Sequence, residues 1–194
     1  MTGLDGIKRA TWNLHTKAER SGIIADILAG SANRTGVALL LRNLLPVYQA
    51  LDRSSRGHPA LARSAAIEAD LLVLSRRAGP PLLAEGHAYA LDVLRSAENN
   101  AEALIAHAYV RYLGDLNGGL IIKRRLTGCL GDVAQRLAFC DYPALDDRAS
   151  FARAYREELD RAVRSVRFDA VVVAAVTVFG MNIALSEAVR AAAI

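Results

Sequence analysis

The stretch His107-Ala-Tyr-Val-Arg-Tyr-Leu-Gly-Asp-Leu-Asn-Gly-Gly119 sets three glycines and a pair of opposite charges into a segment that otherwise reads as helix. In a helical register Arg111, Gly114, Asp115 and Gly118 recur at three- and four-residue steps and share one face, with Gly119 adjoining it and loosening the turn. Each interior glycine costs roughly 0.5–1 kcal/mol relative to alanine, so the three give up about 2–3 kcal/mol for access to the main chain. A helix–helix crossing or a C-cap would account for the glycines alone. Neither has a use for Arg111 and Asp115 one turn apart on the same bare face. A large ligand lying against the backbone does.

Outward from this segment, the chain keeps a helical period. Residues 4–20 carry apolar positions at Leu4, Ile7, Thr11/Trp12 and Leu14/Ala18. After a break at residues 30–36, with Asn33 or Thr35 as a cap, a helix is predicted to about residue 54, and further helices over 60–77, 82–97 and 101 to about 126. Asp146 or Asp147 caps the next, to about 166, and the last spans 168–192. Residues 171–178 are rich in β-branched side chains and would suit a strand, but no partner strand exists elsewhere. The expectation is one all-α domain, residues 1–194, of seven to nine helices.

Composition narrows the function. With 194 residues, 53% hydrophobic and 23% charged, the chain can bury one core and is neither disordered nor collagen-like. The net charge of +4 is scattered. Its densest cluster, Lys123-Arg124-Arg125, lacks interleaved aromatics, which disfavours nucleic acid and suits a solvated face or a basic rim for an acidic ligand or electron carrier. Cys129 and Cys140 form no metal-binding or disulfide pattern, and the first residues lack a secretion-signal core, so a cytoplasmic location is expected. The longest uncharged run, residues 170–185, is shorter than the about 20 residues of a bilayer-spanning helix, and no membrane span is expected.

Lys8, His15 and Glu19 stack on one side of the first helix. A histidine on such a face is commonly a core residue. Two motifs give it another meaning. Residues 109–119 resemble the distal helix of the heme oxygenase family, a Tyr-x-Arg-Tyr-Leu-Gly-Asp-x-x-Gly-Gly run, and match it at every defined position. Leu14-His-Thr-Lys-Ala-Glu19 resembles that family's proximal helix, where a His-Thr-x-Ala-Glu run supplies the axial iron ligand. Pro46-Val-Tyr-Gln-Ala-Leu51, residues 65–71, Tyr155-Arg156 and residues 179–185 extend the similarity over nearly the whole chain.

The resemblance implies a helical bundle with heme b between a proximal N-terminal helix and a kinked, glycine-rich distal helix. It implies His15 as iron ligand and Glu19 orienting its ring. Tyr109, Gly114, Gly118, Gly119, Phe179 and Asn182 would line the heme. Asp115, held by Arg111 and linked through water to Tyr48, would organise proton delivery. Lys8 and Arg156 would hold the propionates, since Ala152 stands where many members place a lysine, with Arg153 adjacent. Asn117 replaces the serine of animal members, and the loop after Leu74 lacks a Trp-Tyr-Gly found in some. The implied activity is oxidative opening of heme, which is both cofactor and substrate, by dioxygen and electrons to biliverdin, carbon monoxide and ferrous iron. The electrons would come from an external donor such as a ferredoxin or a flavoprotein reductase. A non-catalytic heme carrier or sensor on the same fold is the alternative. His58 and His87 read as surface residues, and His107 as a supporting or solvent-facing one.

Overall fold

The computed structural model describes residues 3–75 and 79–193. Within them the chain forms ten α-helices and no strand. They are α1 (Gly3–Glu19), α2 (Gly22–Ala29), α3 (Arg34–Arg53), α4 (Ser64–Leu74), α5 (Ala84–Asn99), α6 (Ala101–Ala108), α7 (Gly114–Leu130), α8 (Asp132–Gln135), α9 (Arg148–Arg164) and α10 (Phe168–Ala192). The helix predicted over 60–77 begins later: Pro59–Leu61 is a separate 3-10 turn, and the end of the expected span lies outside the described residues.

Side chains that satisfy the free N–H groups of the first turn set several boundaries. Asn33 accepts from Gly36 N at 2.8 Å, Asn100 from Ala103 N at 2.9 Å and Asp147 from Ser150 N at 3.0 Å. At Gly22 the backbone takes φ +54°, and a Cβ there would lie 2.1 Å from the Ser186 carbonyl group, so only glycine lets α2 start against α10. That turn also makes α2 a helix of its own, which the periodicity alone had not separated.

The centre of the bundle is α10. It packs against α1, α2, α3, α5 and α6, burying Val171, Ala175, Val178, Ile183 and Val189. By length and apolarity it would also qualify as a membrane span, with a mean hydropathy of 2.0 over its best window, although the uncharged run within it is shorter. Val173 and Val176 lie on its exposed side. The β-branched run 171–178 is helical, because a face buried against five helices outweighs a propensity difference of under about 1 kcal/mol per residue. Both α1 and α7 pack on α2 and α9, and they meet one another little.

Candidate functional site

Between α6 and α7 the main chain widens into a single π-helical turn, Tyr109–Leu113. The irregularity therefore precedes the glycines, where the sequence placed the loosening at Gly119. Such a turn inserts one residue into the ladder and re-aims the side chains around it. Here it carries Arg111 inward.

Arg111 joins three side chains, one each from α3, α7 and α10. Its Nε and Nη2 donate to the Tyr48 hydroxyl at 3.0 and 2.7 Å, Nη1 to Asn182 Oδ1 at 2.9 Å and Nη2 to Asp115 Oδ1 at 3.2 Å. The Tyr48 hydroxyl in turn donates to Asp115 Oδ2. Tyr48 follows Pro46 in α3, a helix that lacks one main-chain donor at that point. Arg111 is 11% exposed and Asp115 27%, so this is no ordinary surface pair. Burial pushes the Asp115 carboxyl above its usual range, against Arg111, the Tyr48 hydrogen bond, Arg63 and Arg148, which pull it down. Burial also raises Tyr48 well above its ordinary value. Burial would depress Arg111, but Asp115, Tyr48 and Tyr89 hold it well above its ordinary value. The cluster keeps a proton source, a carboxylate and a fixed cation in one hydrogen-bonded group.

Beside this group the helix is bare. A Cβ at Gly114 or Gly118 would meet nothing within 4 Å, and the same holds at Gly180 on α10. On α1, the His15 ring is half exposed and stands edge-on to Phe179, with centroids 6.1 Å apart, and parallel to Trp12 at 5.9 Å. Lys8 Nζ lies 5.9 Å from the Trp12 ring centroid, and Trp12 itself is 55% exposed.

Comparison with known proteins gives this arrangement its family. The heme oxygenase family profile matches residues 3–188. The chain is 29% identical over 197 residues to heme oxygenase 1 of Nostoc sp., covering 93% of this chain and 83% of the relative. It is 30% identical over 208 residues to heme oxygenase 1 of Homo sapiens, covering 94% and 70%. It superimposes on the heme oxygenase of Leptospira interrogans with a TM-score of 0.87 at 25% identity, covering 97% of this chain and 100% of that one. With heme oxygenase-1 of Synechocystis sp., solved in complex with heme, the TM-score is 0.86 at 25% identity, covering 100% and 94%.

The chain belongs to the heme oxygenase family.

In this heme oxygenase, Tyr48, Arg111, Asp115 and Asn182 form one network, whereas His15, Phe179 and Lys8 stand on α1 and α10. Glu19 Oε1 is 3.7 Å from His15 Nδ1, beyond hydrogen-bonding distance. Tyr109 is half-buried, its phenol raised by burial and eased by a hydrogen bond with Thr11 of α1 and by Arg156. Arg156 Nη2 contacts Asp5 Oδ1 at 2.5 Å, and Arg153 points to Ser150 Oγ at 2.7 Å.

Four expectations are corrected. Tyr48 reaches Asp115 directly, with no need of a bridging water. Gly119 is buried on another side of α7: a Cβ there would lie 3.0 Å from Arg148 Nη2 and 3.6 Å from the Cys140 carbonyl oxygen, so it does not share the open face of Gly114 and Gly118. His107 is fully buried, its Nε2 2.9 Å from Asp92 Oδ2 on α5. His58 is half-buried, its Nδ1 accepts from Ala60 N, and its ring packs edge-on to Phe151. His87 is exposed, as read.

The sequence reading missed Arg148, whose guanidinium reaches the Asp115 main chain. It also missed Tyr142, a buried ring beneath the Arg63 and Arg148 guanidinium groups at 4.0 and 4.7 Å. No local spacing links these residues to the motif.

Proposed function

We propose that this heme oxygenase holds heme between α1 and the bare start of α7 and opens it to biliverdin, carbon monoxide and ferrous iron, using dioxygen and an external electron donor. The observation that carries this reading is the buried Tyr48–Arg111–Asp115–Asn182 network beside two glycines whose missing side chains leave open space. That open side suits a flat macrocycle, since a Cβ at Gly114 or Gly118 would meet no other group within 4 Å. His15 offers a solvent-accessible imidazole, a ligand type suited to heme iron. Bound heme would supply both the redox-active iron and the carbon skeleton that is broken.

The protein's own part is placement and proton control. His15, set between Trp12 and Phe179, holds its ring in one orientation. Gly114 and Gly118, which carry no side chain on the open side of α7, would let the main chain lie against bound heme and dioxygen. Asp115 accepts the Tyr48 hydroxyl proton while Arg111 donates to the phenol oxygen and to Asp115 Oδ1, so a water at the carboxylate edge has a fixed acceptor that orients it. A carrier would need His15 and cations for the propionates, but no carboxylate network beside a bare helix.

Lys8 and Arg156 are the cations assigned to the propionates. An acidic electron carrier, a ferredoxin or a flavoprotein reductase, suits the exposed Arg124 and Arg125. The free thiols of Cys129 and Cys140 suit a reducing cytoplasm. Single turnover with hemin and a reduced ferredoxin, with released gas trapped by a globin, tests the reading. Carbon monoxide in step with bilin formation is expected; heme retained without carbon monoxide would favour carriage.

A further inference from the structure

Arg148, the first residue of α9, reaches back onto the start of α7. Its Nη2 donates to the Asp115 carbonyl at 2.7 Å, its Nε to the Leu116 carbonyl at 2.9 Å and its Nη1 to the Cys140 carbonyl at 3.3 Å. All three donor nitrogens of the fork thus end on main-chain oxygens, and those of Asp115 and Leu116 keep a second lone pair beyond the one used within α7. The guanidinium also lies over the Tyr142 ring, a buried side chain fixed from elsewhere by Arg63. Gly119 admits this contact, because any Cβ at that position would press on Arg148 Nη2 at 3.0 Å. The third glycine of the motif thus makes room for an arginine where the first two leave open space.

The gripped turn is the first after the π-helical segment, where the helical ladder has just changed register. A shift of the main chain there would move the Asp115 carboxylate off Tyr48 and Arg111. We propose that Arg148 is a positioning residue for Asp115: it clamps the carbonyl side of that turn from behind and so sets where the carboxylate stands on the open side. This rests on the role assigned to Asp115 above. The charged and titratable groups around that carboxylate are Arg111, Tyr48, Arg63 and Arg148, and beyond them Tyr89, Tyr112, Cys140 and Tyr142. Loss of the Arg148 cation therefore moves Asp115 titration upward as well as loosening the turn.

The test uses the full chain, with hemin as the probe, in Arg148→Leu, Arg148→Lys, Gly119→Ala and Asp115→Asn. Asp115 titration is followed by carboxyl carbon NMR before hemin is added, with Asp115→Asn assigning the signal. Hemin affinity and bilin formation rate are then measured separately. Arg148→Leu is expected to keep hemin affinity, raise the Asp115 midpoint and slow bilin formation about tenfold or more. Arg148→Lys, which keeps charge but not the fork, is expected to restore the midpoint more than the rate. Gly119→Ala should reproduce part of the Arg148→Leu effect, and adding it to Arg148→Leu should cost little more, since its clash partner has gone.

An unchanged Asp115 midpoint and bilin rate in Arg148→Leu, with only a lower melting temperature, would overturn the inference. So would a loss of hemin affinity that accounts for the whole effect. Wild-type bilin formation in Asp115→Asn would instead reject the role given to Asp115 itself. Loss there, with Arg148→Leu unaffected, would reject only the positioning claim.

Discussion

Tyr48 donates its hydroxyl proton directly to Asp115, across 67 residues of sequence, while the same oxygen accepts two hydrogen bonds from Arg111. The phenol is thus held from both sides and has one place to put its proton. Asp115→Ala should leave hemin affinity close to wild type and abolish bilin formation, because the carboxylate touches no anchoring group. Titration with hemin followed by single turnover checks both halves. Unchanged bilin yield would break the assignment.

The Tyr48 hydrogen bond is one of the interactions that hold the Asp115 carboxyl down against burial. Removing it in Tyr48→Phe therefore raises the carboxyl further, and the ionised form is reached only at higher pH. If turnover needs the carboxylate, the acid limb of its pH profile must move upward in Tyr48→Phe. A profile that keeps its position while the rate falls would show that Tyr48 acts otherwise than through Asp115.

How much of this was legible beforehand follows the range of the interactions. Arg111, Asp115 and the shared face of Gly114 and Gly118 are local, so helical spacing placed them together. Arg148, by contrast, lies 33 residues from Asp115 and immediately after the helix cap Asp147, a position that reads as ordinary surface. The side taken by Gly119 depends on the π-helical turn, a change of register that apolar periodicity does not reveal. His107 finds Asp92 only because α5 and α6 pack together, and His58 is drawn inward by Phe151 of α9.

His15→Ala should fold as the parent does, since the imidazole is half exposed. Turnover should be lost and partly restored by free imidazole, which replaces the missing ligand. Wild-type spectra without imidazole would exclude His15 as the axial residue.

Arg156 is already engaged by Asp5, at 2.5 Å. Arg156→Ala should weaken hemin binding by roughly tenfold to a hundredfold, the value of one charge-assisted contact of about 1.5–3 kcal/mol. Asp5→Asn relieves the competition for the guanidinium and should strengthen hemin binding. Unchanged affinity in Arg156→Ala and Lys8→Ala alike would place the propionates elsewhere, with Arg153 next to test.

The first turn of α1 is tied to α9 by Asp160, which accepts from Leu4 N at 3.0 Å and from Arg164 Nε at 2.9 Å. Burial alone would raise this carboxyl, but the Leu4 hydrogen bond and Arg164 bring it below its ordinary value. A depressed carboxyl stabilises the fold above its unfolded value, near about 3.9, and that contribution is lost as pH falls through the folded value. Asp160→Asn should therefore melt lower than the parent at neutral pH, and the gap should close under acid. A gap that stays constant down to strong acid would contradict the anchoring role.

Absorption spectroscopy of the protein with hemin, before and after electrons are supplied in air, bears most directly on the whole account. The site predicts a Soret band on hemin binding that decays on reduction as a biliverdin band rises, and that decay without bilin in Asp115→Ala. A Soret band that persists through repeated reduction would mean that the pocket carries heme without opening it.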